Sequence, residues 1–237
     1  MTIELRPAII AAVHSVQALP YRWPAPSDAA AARATGFGTC ASKHALLAQE
    51  LERLGIASEP RLVIGRLVPA GWGDHPLFRT DTDLLEVHEC LSVTLPWRAG
   101  TLVDVTWDPP LLKRGLAGTL DWDGGSDMAL ALAPAEELIP AQRVALRSAK
   151  EGLRTRIYRQ GDRDRRDRVL AALSALFAEW RSTEGAPQSS ASSTYPRNSP
   201  RRIPPPSASI ASNSRPHWGQ VRLSTSMGSG LTLPSTT

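Results

Sequence analysis

The stretch GTCASKHALLAQELERLGI, residues Gly38–Ile56, decides how the rest of the chain is read. Leu47, Leu51 and Leu54 recur at i, i+4 and i+7 in a segment rich in Ala, Leu, Glu and Gln, and Gly55 can end it, so the spacing predicts a helix. Cys40 then stands at the N-terminus of that helix, behind the small-residue turn Gly36-Phe37-Gly38-Thr39. The position has chemical consequences. A thiol is a strong nucleophile only as thiolate, with a free pKa of about 8.5, and a helix N-terminus favours negative charge through its unpaired N–H groups. The same N–H groups can receive an oxyanion. Set against this is the ordinary role of cysteine as a small buried hydrophobe.

Two downstream segments bear on that choice. In LLEVHECLSVTL the alternation from Val87 to Leu95 predicts a half-buried strand, with Val87, Leu91, Val93 and Leu95 on the apolar face and His88, Cys90, Ser92 and Thr94 on the other. After the breaker Pro96–Gly100, alternation resumes over Thr101–Trp107, with Val103, Val105 and Trp107 on one face and Leu102, Asp104 and Thr106 on the other. The pair reads as a hairpin whose polar face holds His88 and Asp104. A tight hairpin pairing Leu95 with Thr101 would set Asp108 opposite His88 and leave Asp104 about 13 Å away at ~3.3 Å per residue. A bulge or looser loop is needed to bring Asp104 to His88, and Asp108 is the alternative partner.

Three pieces now stand in order: a G-x-C opening a helix that ends in Gly-Ile, a strand with His88, and a strand with Val103-Asp104-Val105-Thr106. Over roughly residues 15–125 this resembles the transglutaminase-like branch of the papain-like cysteine enzymes. The resemblance implies a papain/transglutaminase-like α+β core, with the cysteine helix packed on an antiparallel sheet. It also implies a catalytic triad in which Cys40 is nucleophile, His88 base and Asp104 orienter, acting on a peptide or other amide by hydrolysis or by transfer to an amine, with no cofactor. The chain departs from the family at Glu89 and Cys90, where an Ala-Trp or similar pair usually follows the histidine, so the pocket wall differs. In the family a segment like Leu19–Pro24 passes near the nucleophile, which makes Tyr21 and Gln17 candidate oxyanion donors. Cys90 and Asp108 are further candidates for substrate contact.

Other classes remain open at this point. Cys40 and His44 at i, i+4 on one helix face, with His88 and Cys90 at i, i+2 on one strand face, give four possible zinc ligands, although structural zinc sites usually use knuckle spacings. A binding module of the same fold with a spent triad is the other alternative.

Composition narrows the setting. The chain has 237 residues and 42% hydrophobic content, enough for a sizeable core. Its 27 basic and 23 acidic residues leave +4, too mild an excess for a nucleic-acid protein. Two cysteines fifty positions apart fit a reduced, cytoplasmic setting. The apolar run Ala8–Val13 is short for a signal core, and no run approaches eighteen apolar residues, so no membrane partner is expected.

The remaining segments fill in the organisation. A helix is expected from Pro7 to about Ala18, and a short one over Asp28–Ala34 capped by Ser27 or Asp28. A strand is expected over Arg61–Val68, then a loop over Pro69–Thr82 in which His75 is a weak substrate-contact candidate. Leu111–Asp127 reads as turn-rich surface anchored by Trp122, and helices follow over Pro140–Tyr158 and Arg163–Arg181. The Asp121–Gly125 run lacks the spacing and closing glutamate of a calcium loop, and Gly228–Gly230 lacks the lysine and helix of a phosphate loop. Residues 1–182 are thus expected to form the domain. Residues 183–237, rich in Ser and Pro, cannot repay the entropy of ordering and read as a disordered tail.

Overall fold

The computed structural model describes residues 2–25, 28–67, 83–132, 134 and 138–184. The expected loop over 69–82 with His75, and the tail beyond Glu184, lie outside the described residues.

A central antiparallel sheet organises the fold. Its strands are β1 (Ser58–Arg66), β2 (Leu85–Leu95), β3 (Arg98–Val103) and the two-residue β4 (Ile139–Pro140), in the order β3-β2-β1-β4. Helices α1 (Thr2–Gln17), α2 (Ala29–Thr35) and α3 (Cys40–Arg53) precede it, the short α4 (Pro109–Lys113) follows β3, and α5 (Leu146–Ile157) and α6 (Asp162–Glu184) close the described chain. The class is α+β, with helices in blocks around an antiparallel sheet.

Local chemistry explains most boundaries. Asp28 caps α2 by accepting from the Ala31 N–H at 2.8 Å, and Gly36 ends the helix with φ +71°, a conformation that suits glycine. α3 begins at Cys40 itself, where the Thr39 N–H donates to Ser42 Oγ at 3.0 Å. Gly38 is required there by space, because a Cβ on it would collide with Ser42 Oγ. α1 starts five residues earlier than the sequence suggests and carries Pro7 inside it. Pro7 is the sixth residue of the helix, so it leaves the Ile3 carbonyl without its i→i−4 donor near the N-terminal end.

Apolar packing fixes the layers. Leu47 and Leu51 of α3 join Ile9, Val13 and Val16 of α1 and Leu91, Val93 and Val103 of the hairpin in one cluster. The cysteine helix therefore packs on the sheet. A second cluster binds α6 to the middle of the chain through Leu173, Phe177, Tyr21, Trp107 and Leu111. A third joins Leu62, Ile64 and Val87 to Leu146, Leu153 and Ile157 of α5. Trp122, expected to anchor a surface loop, is fully buried in the first cluster.

Two expectations about the hairpin need correction. β2 is not half-buried: Glu86 to Leu91 are all buried, and because neighbouring residues on a strand face opposite ways, both faces are covered. The register also differs from the expected one, because only Pro96 and Trp97 form the turn and Arg98–Gly100 already belong to β3. Leu91 pairs with Val103, Ser92 with Leu102 and Val93 with Thr101, and a bulge between Val93 and Leu95 leaves Leu95 opposite Arg98. Continued by one residue, that register brings Asp104 beside Cys90 and diagonal to His88, within reach of long side chains. The two-residue turn draws Asp104 back along β2 toward His88, and the one-residue bulge sets it on the face that carries His88.

Candidate active site

The cysteine is set by a short parallel bridge. The Gly38 N–H donates to the Pro20 carbonyl at 3.1 Å, and the Arg22 N–H donates to the Gly38 carbonyl at 3.0 Å. The segment after α1 is thereby fixed against the turn that leads into Cys40. Lys43, one turn further along α3 and fully buried, holds the same region from beneath. Its Nζ donates to the carbonyls of Gln17 at 3.0 Å, Leu19 at 2.8 Å and Thr106 at 2.9 Å. Burial lowers its pKa to about 7, against the pull of Asp108 and Asp104, yet three carbonyl acceptors require all three protons of the ammonium.

His88 and Asp104 meet as the register implies. The His88 Nε2–H donates to Asp104 Oδ2 at 2.7 Å, and both side chains are buried. The same carboxylate accepts from the Ala131 N–H at 2.8 Å and the Thr106 N–H at 3.1 Å. Burial alone would raise the Asp104 pKa, but the charge and hydrogen bond of His88, with the nearby His44 and Ala131, hold it well below the usual carboxylate range. For His88 burial acts downward and is outweighed by Asp104 and by Cys40, which carry the imidazole up to about 10. With Nε2 committed to Asp104, Nδ1 is left for the thiol.

Cys40 is half-buried and free. Burial pushes its pKa up; Lys150, then the hydrogen bond and charge of His88, pull it down to about 7. Lys150 Nζ lies 3.7 Å from Cys40 Sγ and 3.6 Å from Glu89 Oε2. A thiolate held between an imidazolium and an ammonium is the arrangement these shifts describe.

A cavity of about 630 Å³ opens over the sulfur, walled by Tyr21, Cys40, His88, Glu89, Lys150 and others. Tyr21 is stacked edge-on against Trp107 at 4.8 Å. Burial, then the charge of Cys40, raises its hydroxyl pKa, so it remains a protonated donor in the wall.

Three expected residues are placed elsewhere. Gln17 is buried outside this cavity, its Nε2 donating to the Thr119 carbonyl at 2.8 Å, so it is not an oxyanion donor. Asp108 does not approach His88. It accepts from the Tyr21 N–H at 2.9 Å and takes both arms of Arg181, at 2.8 and 2.5 Å, so it clamps α6 to the segment after α1. Cys90 is fully buried, is not part of the cavity wall, and burial pushes its thiol up. It is inert packing.

The zinc alternative fails on His44. Its Nδ1–H donates to the Cys40 carbonyl at 2.7 Å and its Nε2 accepts from the Val105 N–H at 3.1 Å, so both ring nitrogens are used. Burial holds it neutral, with a pKa of about 4. Among the described residues no group of three or more His, Cys, Asp or Glu side chains is arranged to hold a metal ion, and none of their helices is long and apolar enough to cross a membrane.

Comparison with family models, with curated proteins and with solved structures finds no match.

Sequence reasoning missed Lys150 and did not see that Glu89 would serve it. A signal was present: Arg143, Arg147, Lys150 and Arg154 recur at i, i+4, i+7 and i+11, one stripe of a helix. Nothing in the sequence says which strand that stripe faces, because α5 meets β2 across sixty positions of chain.

Proposed function

We propose that the protein is a thiol-dependent acyl-transfer enzyme, with a papain/transglutaminase-like core, that cleaves amides through Cys40, His88 and Asp104. The observation that carries this reading is the buried His88–Asp104 hydrogen bond of 2.7 Å set beside a thiol at a helix N-terminus that faces an open cavity.

Chemistry follows from the charges already present. The Cys40 thiolate attacks the carbonyl carbon, a C–S bond forms, and charge moves to the carbonyl oxygen. The Cys40 N–H, one of the first-turn donors with no partner inside α3, serves that oxygen. The Lys150 ammonium, 3.7 Å from Sγ, offsets the charge. The C–N bond then breaks as His88 gives its proton to the leaving amine, and a thioester remains. Water or a second amine attacks the thioester, His88 takes the incoming proton, and the C–S bond breaks to restore the thiolate–imidazolium pair. Asp104 keeps Nε2 protonated and the ring oriented throughout, the role of the third member in any such triad.

Labelling tests the reading. Iodoacetamide should alkylate the wild type at Cys40 and should still do so in Cys90→Ser, whereas Cys40→Ala should lose the label. Equal labelling of the two variants, or a folded wild type whose Cys40 takes no label, would sink it; the latter result would mark a binding module with a spent triad.

A further inference from the structure

The wall of the cavity opposite the nucleophile's helix is basic beyond what its neighbours neutralise. Arg147, Lys150 and Arg154, one stripe of α5, all line it, and Arg143 of the turn just before α5 and Arg166 of α6 join them. Glu86 is one carboxylate serving two guanidinium groups: it takes Arg154 Nε and Nη2 at 2.9 and 2.8 Å and is also paired with Arg166. Glu89 is committed to Lys150, which also faces the sulfur. Arg143 donates to the neutral Ser58, to its carbonyl at 2.8 Å and its Oγ at 3.2 Å. Glu151, also in the lining, is paired with Arg163. Arg147 is exposed and makes no hydrogen bond or ion pair among the described residues. Among the described residues the wall therefore keeps a cationic surplus, and the Arg147 guanidinium stands open within it.

We infer that the amide accepted by this site carries a carboxylate, and that Arg147 is the residue that reads it. The inference rests on the acyl-transfer reading above and adds its substrate class. A guanidinium offers two parallel N–H groups matched to the two oxygens of a carboxylate. A cavity lined by one sign of charge raises the local concentration of the opposite sign. Arg154 and Arg166 are held by Glu86, and Lys150 is engaged at the sulfur, so the surplus is directed through Arg147.

Two alkylating reagents with the same leaving group separate charge from reactivity. Iodoacetate carries the carboxylate and iodoacetamide does not, so the ratio of their rates at Cys40, divided by the same ratio for free cysteine at the same pH, isolates what the cavity adds. The expected ratio is about tenfold in favour of iodoacetate at low ionic strength, shrinking in about 1 M salt, where screening reaches about 3 Å. Arg147→Gln should bring it toward the free-cysteine value and Arg147→Glu should carry it below. Arg53→Gln, at the far end of α3, should leave it unchanged. If Arg147→Gln does not fold, the wild-type ratio and its salt dependence decide alone. Iodoacetamide labelling with a ratio equal to that of free cysteine would overturn the inference and leave the acyl-transfer reading standing. No labelling by either reagent would bring down both.

Discussion

Asp104 spends every favourable contact on one task. One oxygen takes His88 and the Ala131 N–H, the other takes the Thr106 N–H, so the imidazole is oriented by a carboxylate that cannot itself turn. Asp104→Asn is therefore expected to slow iodoacetamide-independent acyl turnover about a hundredfold or more, measured on any amide that the wild type cleaves, while the circular dichroism spectrum stays native. The pH dependence follows from the signs. The thiol is nucleophilic only after losing its proton, so Cys40 alkylation should rise with pH through about 7. Acyl turnover also needs the imidazolium proton for the leaving amine, and should fall again as pH passes about 10. Lys150→Met removes the ammonium 3.7 Å from the sulfur, so the rising limb should move to higher pH, and Lys150→Arg should restore it. A role for Lys150 confined to packing would move stability and leave the limb in place. Of these residues, Cys40, His88 and Asp104 were legible in the sequence as chemistry-bearing types, one at the start of a helix and two on neighbouring strands. Lys150 was not, because a lysine on a helix of mixed charge looks like solvated surface until its neighbours are known.

Two elements make the site possible, the bulged hairpin and α3. The two-residue turn Pro96-Trp97 and the bulge between Val93 and Leu95 together set the ladder, and that register selects Asp104 over Asp108. Alternation decides neither outcome, since a strand pattern is the same in both registers while the pairing is not. α3 is held from two sides, by Leu47 and Leu51 in the apolar cluster and by the buried Lys43 ammonium on three carbonyls. Leu51→Ala should cost about 3 kcal/mol from lost burial and the cavity left behind. Lys43→Met should cost about 3 kcal/mol as well, because three buried carbonyls lose their charged donor. Both are read from urea or thermal unfolding. Lys43→Met should in addition slow Cys40 labelling, since the segment after α1 that supports the cysteine turn loses its anchor.

At the scale of the molecule, all three apolar clusters draw on residues between Leu5 and Trp180, and the described chain falls within one compact unit, residues 1–189. A chain ending at Ser189 should therefore keep the melting temperature and the labelling rate of the full chain; a drop of several degrees would mean that residues beyond it support the core. The sequence by itself determined the α+β class, the helix that begins at Cys40 and the polar residues available to the candidate site, because helix and strand periods and glycine sterics act over a few neighbouring residues. Tertiary structure alone decided that β2 is covered on both faces, that Asp104 and not Asp108 meets His88, that Gln17 turns away, and that α5 brings Lys150 to the sulfur. Each of those depends on which surfaces touch across tens of residues, and a contact of that kind leaves no period in the chain to be read.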